Sequence, residues 1–310
     1  MKYSLSLLGL ITLEFSLTSC FTGIEGTKKI TLSRQDRRET APTHEETFLA
    51  DIRPSAHTEW DKGKPFYVAD DRASVMIDAV RIESGKPSLE CGDELHFLEA
   101  RDIRTPDGTT RTTIIFMRGS DEFRYMAREA PAGRSVVMSD DIPGLIDPEM
   151  IRAVADRLKG MRLWTLSTLW LDADGNRKEG LKYDPVTVTG VEKGNMIFPV
   201  KVKFRDDEGR AGSYLMNFGN TGKDSRSFAT LFSTDDPRTS YPGISDGTWQ
   251  MICQAQVAPG MTKQECRLAK GNPTDVSDGH DHSKSMLLWV YPDATTLYFE
   301  DDILVRVKGY

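Results

Sequence analysis

From Trp60 onward the chain alternates apolar and polar residues in short runs, the period-2 signature of strands that bury one face. Runs at 66–68, 74–82, 94–100, 112–117 and 122–127 are rich in β-branched and aromatic residues. Turn sequences separate them: Glu83-Ser84-Gly85, Cys91-Gly92-Asp93, Pro106-Asp107-Gly108 and Gly119-Ser120-Asp121. They predict a meander or small barrel over 60–139. One segment then switches to helical spacing. Met150, Ile151, Val154, Ala155 and Leu158 form an apolar stripe, Asp147 can cap it, Pro148 and Glu149 suit its first turn, and Gly160 stops it.

A second β region follows, so that 140–250 reads as a helix plus a second β-domain. Its strands are expected at 163–171, 185–191, 196–204 and 212–218, with hairpin turns at Asp174-Gly175-Asn176 and Asp207-Glu208-Gly209. In the third run Val200, Val202 and Phe204 share one side while Lys201, Lys203 and Arg205 share the other, the mark of a half-exposed strand. Each β region contains a strand, a Gly-bearing turn, a return strand and an aromatic end, which makes the two a candidate diverged pair.

The last stretch, 251–310, has its own pattern. Gly260-Met261-Thr262-Lys263-Gln264-Glu265-Cys266 opens a helix with a Thr-x-x-Glu capping box, and Gly271 and Pro273 close it. A polar loop is expected at 272–284, then strands at 286–291, 295–299 and 303–308. The order Gly-Met-Thr-Lys-x-Glu, helix, Gly-x-Pro, Trp289-Val290-Tyr291, Leu297-Tyr298-Phe299-Glu300 and Leu304-Val305 resembles the SmpA/OmlA family, the small lipoprotein of the outer-membrane barrel-assembly machinery. The resemblance covers about the last fifth of the chain and implies a helix-and-three-strand module that binds protein and carries no catalytic residue. Trp289, Tyr291, Tyr298 and Phe299 are its candidate interaction surface. With Phe21-Thr22-Gly23-Ile24-Glu25 and the 232–238 stretch, the whole chain also looks like large lipoproteins of Gram-negative envelopes.

The amino terminus places the protein. Lys2, an apolar run at 5–13 and Leu17-Thr18-Ser19-Cys20 have the order of an export signal, and the run is too short to cross a bilayer as a helix. The tetrapeptide resembles a bacterial lipobox, which implies a signal peptide over 1–19 and acylation of Cys20. Residues 20–59, dense in charge and poor in apolar periodicity, are expected to be a tether. Phe21 lacks the acidic retention residue of some inner-membrane lipoproteins, so the expectation is the outer membrane with the body facing the periplasm. A net charge of −7 argues against general nucleic-acid binding.

Little else in the sequence points to chemistry. His280 and His282, flanking Asp281, are the best metal candidates, but a structural site draws ligands from separate elements. Asp172-Ala173-Asp174-Gly175-Asn176 has its glycine at the wrong position for a calcium loop, and the 219–224 stretch lacks phosphate-loop spacing. Cys91 with His96 has nothing local to activate a thiol. The Asp pairs at 70–71, 140–141, 235–236 and 301–302 flank turns. Cys253 and Cys266 are the candidate disulfide, with Cys91 left over. Trp164 and Trp170 share a face if their strand is regular. The expectation is an α+β, mostly β lipoprotein without cofactor or catalytic residue, a tethered scaffold whose partners are the membrane and an envelope protein. The alternative is a carbohydrate- or cell-wall-binding protein, with a hydrolase built on a carboxylate pair as its catalytic form.

Overall fold

The computed structural model describes residues 43–104, 108, 110–127, 136–218, 226–281 and 284–309, the side chains of 278–281, 284 and 285 excepted. Residues 43–59, expected as the end of a tether, instead belong to the folded body. Helix α1 (His44–Thr47) carries its own capping box from Thr43 and Glu46. Beyond it Leu49 is buried and Phe48 stacks on Phe228 at 4.8 Å. A few apolar residues without periodicity suffice here, because they fill gaps in a core built by other elements.

The first sheet contains β1 (Pro65–Val68), β2 (Ile77–Arg81), β3 (Glu94–Arg104), β4 (Thr110–Arg118), β5 (Asp121–Met126) and β6 (Leu145–Ile146), in the order β2-β5-β4-β3-β1-β6. One helical turn, α2 (Ala73–Met76), occupies the start of the strand expected at 74–82. Ser74 pins that turn: its hydroxyl donates to the Leu89 carbonyl and accepts from the Leu89 N–H. Asp121, fully buried, accepts from the Glu83 and Ser84 N–H groups, the Ser84 hydroxyl and Arg118, and so anchors the loop after β2. The sheet extends past the expected boundary at 139, because Ile142 and Leu145 join its core.

Helix α3 (Pro148–Leu158) follows as expected. The Asp147 carboxylate accepts from the Glu149 N–H at 2.9 Å, and Gly160 takes φ +82 beyond the helix end. Val154 and Leu158 enter the core of the second sheet. That sheet contains β7 (Arg162–Thr165), β8 (Leu169–Leu171), β9 (Arg177–Glu179), β10 (Pro185–Lys193), β11 (Val200–Asp206), β12 (Ala211–Met216) and β13 (Phe232–Ser233), with helix α4 (Phe228–Leu231) leading into the last. The strand order is β13-β7-β10-β11-β12-β8-β9. The single strand expected at 163–171 breaks, because the Leu166 N–H turns to Leu231 and the Ser167 carbonyl accepts from the Tyr214 hydroxyl.

Apart from β9, the two sheets have the same connectivity. Each is a three-strand meander with the two preceding strands on its opposite edges and a short final strand beside the first. The match extends to single hydrogen bonds. Gly63 and Gly160, both at positive φ, donate to Phe97 and Val188, and those residues donate back to Lys64 and Met161. A bulge follows at Phe97/Glu99 and at Val188/Gly190. Val68 donates to Asp93 and Thr165 to Asp184, each after a residue of positive φ, Gly92 or Tyr183. A chance meander does not repeat bulge, turn and edge pairing in step. The two sheets are thus two structural copies of one arrangement.

The third sheet follows helices α5 (Asp246–Cys253) and α6 (Lys263–Lys270) and runs β14 (Asp275–Asp281), β15 (Lys284–Val290), β16 (Thr296–Glu300), β17 (Ile303–Lys308) in chain order. The expected capping box is present, with the Thr262 hydroxyl accepting from the Glu265 N–H and Glu265 accepting from the Thr262 N–H. The expected polar loop instead forms β14. An edge strand pairs through its backbone alone, so it needs no apolar alternation to show in the sequence. This part docks on the second sheet through Lys182, whose ammonium donates to the carbonyls of Leu268 and Ala269 at the end of α6, and through Tyr183, which stacks on Trp249.

Lys64 joins the first sheet to α3. It is 8% exposed, Asp147 is 3% exposed, and the ammonium lies 3.2 Å from that carboxylate and also contacts Glu149. Lys64→Met leaves Asp147 buried without its cation, and is expected to cost about 3–5 kcal/mol. Urea unfolding measures this, and a loss below about 1 kcal/mol contradicts the buried pair.

Candidate binding face

The structure relocates most sequence-level candidates. Trp289, Tyr291 and Phe299 are not a surface: they are 2%, 4% and 1% exposed, on the side of the third sheet that packs against α6. Tyr298 has the opposite parity and lies under the Arg306 guanidinium at 4.0 Å. Adjacent residues of a strand point to opposite faces, so Tyr298 and Phe299 do not share one surface. Trp164 and Trp170 are likewise parted. They lie on β7 and β8, separated by β10, β11 and β12, and Trp170 turns inward against Phe204. The two tryptophans therefore do not form one aromatic face.

Cys253 and Cys266 are free thiols and make no bridge. Cys266 points into the third core from α6, where burial pushes its thiol up to about 12, while burial also raises that of half-buried Cys253. His96 pairs with Glu94, and the Cys91 thiol faces the Ala69 carbonyl. Asp172 accepts from the N–H groups of Asp174 and Asn176, so the calcium-like loop is a hairpin turn. Cys20, His282 and the His280 side chain lie outside the described residues. Among the described residues no cluster of His, Cys, Asp and Glu could hold a metal.

A different surface emerges on the second sheet. Strands β11 and β12 bury Val200, Val202, Phe204, Tyr214 and Met216 inward. The pleat therefore turns Lys201, Lys203, Arg205, Ser213 and Leu215 outward. Lys203 is paired with Glu192 at 2.7 Å. Lys201 has no ion pair among the described residues, and Arg205 donates only to the Gly209 carbonyl. These side chains line an open recess of about 590 Å³. Ser213 lines it, 3% exposed, with a buried hydroxyl that has no hydrogen-bond partner among the described residues.

Next to it, where Leu215 pairs across from Lys201, is a recess of about 210 Å³ walled by Leu169, Trp170, Phe198 and Leu215. Arg177 and Arg226 border it. Arg226 donates to the Leu215 carbonyl at 2.8 Å and has no carboxylate partner among the described residues. Burial, with the Arg177 charge beside it, lowers its basicity. On the inner side Gly212 leaves room for the Trp170 ring, because a Cβ there would meet Trp170 and lie 2.7 Å from Phe204.

The first sheet is the natural control. By register, its counterparts of Lys201, Lys203 and Arg205 are Thr113, Ile115 and Met117. Its outward charges are paired, Arg101 with Glu99 and Arg124 with Asp78. Thr113 and Ile115 are buried, so these positions are covered and uncharged on one copy and cationic on the other, in a chain of net charge −7. No protein-family model, no curated protein and no solved structure matches the chain. The Val-Lys-Val-Lys-Phe-Arg alternation signalled half of this face in the sequence. Arg177, Ser213 and Arg226 carry no such signal, because only strand order brings them beside it.

Thiol chemistry offers a direct check on the packing. Alkylation of the native protein should label Cys91 rapidly and Cys266 only on unfolding, read by peptide mass. Comparable native rates at the two sites contradict the packing of α6.

Proposed function

We propose that the chain is a membrane-tethered, non-enzymatic binding or scaffold protein of the cell envelope. Acyl chains on Cys20 hold it in the outer membrane, with the body in the periplasm. One observation carries the binding role: the second copy of the repeated sheet presents Lys201, Arg205, Arg177 and Arg226 without carboxylate partners among the described residues, where the first copy pairs Arg101 with Glu99 and Arg124 with Asp78. A folded domain gains no stability from an unpaired cationic face, so such a face is explained best by what it contacts.

Two features support a scaffold. The third sheet ends at β17, whose start is held by the segment 260–263 while Val305 and Val307 stand exposed along its remaining edge, a place for strand addition by a partner protein. Two residues that suggested chemistry have structural roles: Cys266 packs in the third core and Asp172 holds a hairpin turn.

The anchor is tested by fractionation of the full chain. Wild-type protein should sediment with outer membranes, and Cys20→Ala should be released to the soluble fraction. Equal sedimentation of both removes the acyl tether from the proposal.

A further inference from the structure

The two recesses of the second sheet lie side by side on one face. Lys201 pairs directly across from Leu215, and Ser213 is two residues from Leu215 on the same strand and the same side. At about 3.3 Å of rise per residue, the Ser213 hydroxyl and the apolar wall are about 7 Å apart. Lys201, Lys203 and Arg205 repeat at every second residue, with spacings of the same size.

Each part of this face lacks something. The buried Ser213 hydroxyl lacks a hydrogen-bond partner among the described residues, and leaving such a group unsatisfied is costly. Lys201 and Arg226 have no ion pair among the described residues, although Glu192, which pairs across from Lys201, and Asp172 also line the larger recess. The apolar recess beside Arg226 is open. An oxyanion with several acceptor oxygens would satisfy the first two, and a short apolar body attached to it would fill the third. A terminal phosphate offers three free oxygens against a carboxylate's two, so it matches the lysines and the hydroxyl better.

We propose that this face binds a phosphate-bearing lipid, with the phosphate held by Lys201, Lys203, Arg205 and the Ser213 hydroxyl, and with the start of an acyl chain against Leu215 and Phe198 beneath Arg226. This rests on the binding role given above and names the ligand of that face. The membrane to which the chain is tethered supplies such a molecule within reach.

Isothermal titration of the mature protein with dihexanoyl phosphatidic acid, whose terminal phosphate keeps three free oxygens, kept below its micelle concentration, tests the proposal. Inorganic phosphate and zwitterionic dihexanoyl phosphatidylcholine are the comparison probes. The anionic lipid should bind more tightly than either. Lys201→Gln with Lys203→Gln should weaken it at least tenfold. Ser213→Ala removes an unpartnered buried hydroxyl, so it should not lower thermal stability while weakening the lipid about fivefold. Equal binding of inorganic phosphate and lipid overturns the role of the apolar recess. Unchanged lipid affinity in both variants overturns the site. If no anionic probe binds, the lipid assignment fails. In that case, retention of envelope proteins by the wild type but not by the double lysine variant would show that the binding role still stands.

Discussion

The pleat of strand β11 is the constraint on which the binding face depends. Burying Val200, Val202 and Phe204 stabilises the second core by about 1.5–3 kcal/mol for each side chain. A slip of one residue would exchange those side chains for Lys201, Lys203 and Arg205. The opposing cost is small: two unit charges about 7 Å apart in water repel by roughly 0.6 kcal/mol. Burial therefore decides the register, and the cations are carried to the other face. The meander then aligns them with Ser213 and Leu215 on β12, and β8 and β9 add Leu169 and Arg177 at the edge.

The repeated sheet shows what is scaffold and what is variable. Both copies keep the positive-φ glycine before the first strand, the bulge in the first meander strand and the short closing strand. These features set twist and edge pairing, so they persist in a unit that must close on its own core. Two positions depart in ways that matter. Ile115 and its neighbours give way to the cations of β11, and Gly92 gives way to Tyr183, which keeps a left-handed φ of 59. That conformation is uncommon for an aromatic residue. Here it places the Tyr183 ring on Trp249 and its hydroxyl on the Leu268 carbonyl, docking the C-terminal helices against the second sheet.

Much of the architecture was legible in the sequence where local signals agree with tertiary demand. The Asp147-Pro148 start of α3, the Thr262–Glu265 capping box and the strands around 112–127 each combine periodicity with turn or cap chemistry. Legibility failed where the cause is not local. Strand β14 is polar because only its backbone pairs. The break between β7 and β8 depends on contacts with Leu231 and Tyr214, distant in sequence. The aromatic residues of 289–299 were visible, but which face they occupy depends on where α6 lies. The site was legible in the same partial way. The alternation of β11 exposed its lysines, while the meaning of that exposure needed the partner strands and the uncharged positions of the first copy for contrast.

Lysine acetylation footprinting, performed on intact envelopes and on the purified protein, tests the central claim most directly. A binding face on the second sheet predicts that Lys201 and Lys203 react more slowly in envelopes than in the purified protein, relative to exposed Lys86 and Lys159. Unchanged relative reactivity at Lys201 and Lys203 would contradict it.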